Sequence, residues 1–137
     1  MTWFLNTWSK QQATEYAVVA LHKIHHEIFT AKQLSDENAT TPRGVFMTLY
    51  GKLGSYLQVL STARQVTGIA AYFRDQYADQ GSQWDPVAEL VNIAAQTQAL
   101  IDWLNSQLEA NSNTTFTRAQ LAGFRDRCDD VLNLYAQ

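Results

Sequence analysis

The chain has 137 residues, 46% hydrophobic and 17% charged, with a formal net charge of -3, which fits a single domain over residues 1–137. A chain of this size removes roughly two-thirds of its unfolded surface from water, so it needs neither disulfides nor a structural metal to hold a core. Disorder, collagen-like repeats and a disulfide scaffold are excluded, and the ten Lys and Arg, scattered against thirteen Asp and Glu, offer no basic stripe for a nucleic acid.

Residues 1–8 hold Trp3, Phe4, Leu5 and Trp8 and read as a docking arm. They lack the basic region and apolar core of a signal peptide, so secretion by that route is not expected. As a membrane anchor the arm is too short, and no apolar run elsewhere approaches the roughly 20 residues that span a bilayer. A membrane partner is not expected. The first helix is predicted from about 9 to 34, because Ala13, Ala17, Ala20, Leu21, Ile24, Ile28 and Ala31 fall in a stripe about 100° wide at helical spacing. A polar loop, Ser35 to Thr41, follows.

Pro42 behind Thr41 opens a second helix, which aligns Phe46, Leu49, Leu53, Tyr56, Leu57, Leu60 and Ala63 and then meets Gly68. Glycine costs about 1 kcal/mol in a helix interior relative to alanine, so Gly68 either ends the helix or bends it. Residues 69–77 are then a short fifth helix or a continuation of the second; the sequence leaves both open. After the loop Asp79 to Trp84, Pro86 behind Asp85 opens a helix from about 86 to 109, with Val87, Leu90, Val91, Ala94, Ile101 and Leu108 aligned. The loop Asn111 to Thr115 precedes Thr117-Arg118-Ala119-Gln120, a capping-box pattern. The last helix, about 118 to 135, aligns Leu121, Phe124, Cys128, Val131, Leu132 and Tyr135. The expected fold is all-α, an elongated antiparallel bundle of four main helices.

Few residues offer chemistry. His22 and His26 stand at i and i+4, a spacing able to hold zinc from one helix face. Lys23, however, occupies the position where a zincin needs Glu, and all three histidines share one helix, so a di-iron bundle cannot be built. His22 and His26 lie opposite Ile24 and are expected in solvent or at an interface; a metal bound between subunits is the remaining alternative. Cys128 falls on an apolar face and reads as a buried hydrophobe. No nucleophile elbow occurs, and Gly44, Gly51 and Gly54 form no phosphate loop. Gly51 and Gly54 instead lie on the back of the second helix, where another backbone can approach. No catalytic, cofactor-binding or metal-binding residue is assigned, and no cofactor is expected.

The strongest functional signal is a surplus of apolar residues off the core stripes. Val18, Val19 and Phe29 lie near the histidines, and Ile93, Leu100 and Trp103 lie on the flank or back of the third main helix. A helix apolar on more than one side is usually buried on more than one side. Either the fifth segment and the N-terminal arm cover these positions within the chain, or Trp3, Trp8, Val18, Phe29, Ile93, Leu100 and Trp103 form an interface with other protein subunits. Ser, Thr, Asn and Gln together outnumber the charged residues, a surface suited to permanent wet contacts.

Over residues 56–108 the chain carries Tyr56-Leu57, Gly68-Ile69-Ala70-Ala71-Tyr72, Trp84-Asp85-Pro86-Val87-Ala88-Glu89-Leu90 and Ile101-Asp102-Trp103-Leu104. In these it resembles a class of small all-helical proteins encoded among the virion genes of tailed bacteriophages. The resemblance implies a structural or assembly role and supplies no catalytic residues. The expected function is therefore a non-enzymatic structural or assembly protein acting through repeated protein contacts, as a homo-oligomer or in a larger assembly, in a virion or the host cytoplasm. The alternative is a small helical regulatory or inhibitor protein that binds a host protein.

Overall fold

A computed structural model describes residues 8–37, 43–77, 86–110 and 116–135. They form five α-helices: α1 (Lys10–Glu37), α2 (Arg43–Arg64), α3 (Ile69–Tyr77), α4 (Pro86–Ala110) and α5 (Arg118–Tyr135). No strand occurs among the described residues, and the fold is all-α.

Local chemistry sets where the helices begin. At α5 the Thr117 N–H donates to Gln120 Oε1 at 2.8 Å while the Gln120 N–H donates to Thr117 Oγ1 at 3.2 Å, which completes the expected capping box. The start of α1 carries the same device, unanticipated from the sequence: the Ser9 N–H donates to Gln12 Oε1 and the Gln12 N–H to Ser9 Oγ, each at 3.0 Å. Helix α4 begins at Pro86 as expected. The capping residues Thr41 and Asp85 lie outside the described residues.

The alternatives at Gly68 resolve into an ending. The N–H groups of Gln65 and Val66 donate to carbonyls three residues back, each at 3.2 Å, so the last turn of α2 tightens. Gly68 follows at φ 77°, a left-handed conformation that favours glycine. Helix α3 then starts afresh at Ile69, so the fifth segment is a separate helix. The Lys10 side chain lies over Gly68, 3.3 Å from where a Cβ would stand.

The core is assembled from one face of each main helix. Ile24 and Ile28 of α1, Leu53 and Leu60 of α2, Leu104 of α4, and Leu121 and Val131 of α5 are fully buried. The Phe46 ring lies 4.4 Å from Phe116 and 4.6 Å from Phe124, tying the start of α2 to α5. Cys128 is buried as expected.

One face departs from the expectation. On α4, Ile93, Thr97, Leu100 and Leu104 are buried, whereas Val91, expected in the core, is 38% exposed. The buried face is rotated because α4 packs against α2, α5 and α3 together, and because the polar Thr97 at its centre hides the true stripe.

The principal contacts join α1 to α2, α2 to α4, α4 to α5 and α5 back to α1, with α3 against α1 and α4. Between α1 and α2, Lys52 Nζ lies 3.5 Å from Glu27 Oε2, and Lys23 Nζ lies 5.9 Å from the centre of the Tyr56 ring. The Arg43 guanidinium donates to the Leu108 carbonyl between α2 and α4. Gln120 Nε2 reaches Gln107 Oε1 at 3.4 Å between α4 and α5. Between α5 and α1, Lys32 Nζ lies 2.6 Å from Asp129 Oδ1, and Arg125 donates to the Ser35 carbonyl at 3.4 Å.

Candidate interaction surface

The seven residues expected at an interface have different fates. Trp3 lies outside the described residues. Trp8 is half-buried, its ring edge-on to Tyr16 at 4.7 Å, so it packs on the helix that follows it. Ile93 and Leu100 are core residues, 6% and 0% exposed, and correct the expectation that they lie off the core stripe.

Trp103 is covered only in part. It is half-buried on α5, 6.3 Å from the Phe124 ring, and a Cβ on Gly123 would come within 3.2 Å of its Cζ2. Gly123 makes room for the indole, so part of the Trp103 surface is covered within one chain. Neither arrangement was legible, because a helical wheel for α4 does not reveal which neighbour lies on each side.

Phe29 remains on the surface at 50% exposure. Its ring stacks at 6.0 Å on His25, which meets the Tyr135 ring edge-on at 4.9 Å. The Tyr135 hydroxyl donates to the Leu21 carbonyl at 2.7 Å, and burial pushes its pKa well above the ordinary tyrosine range. His22 and His26 are exposed, as expected. No group of three or more His, Cys, Asp or Glu able to hold a metal occurs among the described residues.

Val18 is half-buried and faces a cleft of about 490 Å³ between α1, α3, α4 and the end of α5. Leu21, Phe73, Leu90, Ile93 and Leu134 supply its apolar walls, and His22, His25, Glu89 and Tyr135 its polar groups. This cleft is not legible in the sequence, because it depends on where α3 and the end of α5 come to rest.

A second surface runs along α2 where it flanks α4. Tyr50, Gly51, Gly54, Leu57 and Gln58 border a shallow groove of about 770 Å³, closed on the α4 side by Gln98 and Ile101. Among the described residues, no charged one lines it. A Cβ on Gly51 or Gly54 would meet nothing within 4 Å, and Met47, one turn earlier, is 56% exposed. The two glycines were singled out from the sequence; Met47 and Tyr50 were missed, although their offset from the Phe46-Leu49-Leu53 stripe was readable.

None of the described helices is long and apolar enough to cross a membrane. Compared with known proteins, the chain matches no family model, no curated protein and no solved structure.

Proposed function

We propose that this chain is a non-enzymatic structural or assembly protein that works through repeated contacts with other protein subunits, as a component of a bacteriophage virion. In this reading α1, α2, α4 and α5 form an elongated antiparallel bundle. The order of the cross-helix contacts supports it: Lys23 and Glu27 meet Tyr56 and Lys52, and Lys32 and Ser35 meet Asp129 and Arg125, in reverse order along the chain. At 1.5 Å per residue the 28 residues of α1 span about 42 Å, a rod that presents its side faces to neighbours.

The observation that carries the reading is the outer face of α2. Gly51 and Gly54 leave its backbone open, while the exposed apolar residues Met47 and Tyr50 flank them. Missing side chains let a second helix approach closely, and uncharged surroundings spare an association the cost of stripping water from ions. Val19 and Phe29, each 50% exposed, add apolar area on α1. The resemblance of residues 56–108 to small helical proteins from phage virion genes supplies the setting.

The test is to fill the face without touching the fold. A chain carrying both Gly51→Leu and Gly54→Leu meets no intrachain obstacle within 4 Å of either Cβ, so it is expected to keep its helical circular dichroism and to lose self-association. Unchanged self-association in the folded double variant excludes this face. A discrete complex with one host protein and no self-association would favour the regulatory alternative.

A further inference from the structure

The cleft between α1, α3, α4 and the end of α5 has the attributes of a small-molecule site and takes no part in the contacts proposed above. Its volume of about 490 Å³ lies within the roughly 300–1,000 Å³ typical of such sites. Val18, Phe73, Leu90 and Leu134 make its walls apolar, and among the described residues that line it Glu89 is the only Asp, Glu, Lys or Arg.

Glu89 stands in the first turn of α4, and its Oε2 is shielded from water with no hydrogen-bond partner among the described residues. A carboxylate oxygen that has left water without gaining a donor costs free energy until a donor arrives. The Tyr135 hydroxyl does not supply one, since it donates to the Leu21 carbonyl. The last torsion of a glutamate is broad and soft, so the carboxylate can turn to meet a cation in the cleft.

We infer that the cleft binds a small organic amine, its apolar body against Val18, Phe73 and Leu134 and its ammonium on the Glu89 carboxylate. The aromatic residues Phe73 and Tyr135 line the cleft and suit a cation carried on an apolar frame. A neutral apolar molecule would fill the walls and leave Glu89 without a donor.

The full-length chain, labelled with ¹⁵N, is titrated with phenethylamine and, separately, with its neutral counterpart 2-phenylethanol. Amide shifts concentrated at Val18, Leu90 and Leu134 are expected, with the amine bound about tenfold more tightly, the size of a charge-assisted hydrogen bond. Glu89→Gln is expected to bring the two probes level. Leu134→Trp, which fills the cleft and leaves Glu89 in place, is expected to abolish binding of both, and it tests the site should Glu89→Gln not fold. Equal binding of amine and alcohol to the natural chain, binding of neither, shifts spread over the whole surface, or amine binding that survives in folded Leu134→Trp would each overturn the inference.

Discussion

Tyr135 sits where the end of α5 meets the middle of α1, its ring against His25 and its hydroxyl on the Leu21 carbonyl. Because burial raises its pKa, the unfolded chain releases the phenol proton more readily than the folded one. The Tyr135 contribution is therefore intact below about pH 10, the ordinary tyrosine value, and declines as the pH rises above it. Tyr135→Phe is expected to cost about 1 kcal/mol at neutral pH, for one hydrogen bond, and to lose stability less steeply in alkali. Denaturant titrations at neutral pH and near pH 11 check both, and an alkaline decline of unchanged steepness would contradict this role. In the core, Leu100→Ala is expected to cost about 2–5 kcal/mol, and at the α4–α5 seam Trp103→Ala about 2–3 kcal/mol, both by unpacking the monomer. The sequence pointed outward for these two residues. The cover over Trp103 comes from Gly123 and Phe124, which lie in another helix and leave no trace in the pattern of α4.

Helix boundaries were more legible, because the signals that start and stop a helix lie within a few residues of it. The Thr117–Gln120 box and Pro86 both carried over, and Ser9–Gln12 follows the same rule in a glutamine form that is easily overlooked. Thr117→Ala is expected to cost about 1 kcal/mol in chemical denaturation, since one first-turn N–H of α5 loses its acceptor. The core faces of α1, α2 and α5 followed the 3.6-residue period closely, because apolar residues recur along the buried side of each. The expected α4 stripe held at Leu90 and Ile101 but missed Ile93 and Leu100 for a physical reason: Thr97 breaks the apolar run at the centre of the buried face, and burial by three neighbours widens the arc on which any side chain can be covered. Gly51→Ala and Gly54→Ala probe the open face of α2 from another side. With empty space beyond each Cβ, each is expected to raise the stability of the isolated chain by up to about 1 kcal/mol, the helix-propensity difference. A loss of stability on either substitution would mean that the backbone there is already packed against something.

Across the whole molecule, the contacts of α1, α2, α4 and α5 account for most of the apolar surplus read from the sequence: Trp8, Ile93, Leu100 and Trp103 all find partners within the chain. The large hydrophobics that stay exposed among the described residues are Tyr16, Val19, Phe29 and Leu34 on α1, Met47 and Tyr50 on α2 and Val91 on α4, and of these Met47 and Tyr50 flank the open glycines Gly51 and Gly54. The association is therefore proposed at the outer face of α2 rather than the back of α4, because Ile93 and Leu100 are buried within the chain. The central claim is that this face joins one subunit to the next. Light scattering coupled to size exclusion, run over a wide range of concentrations, measures it most directly. The account predicts a stable assembly whose mass is a multiple of 15.5 kDa; a 15.5 kDa species at every concentration would contradict it.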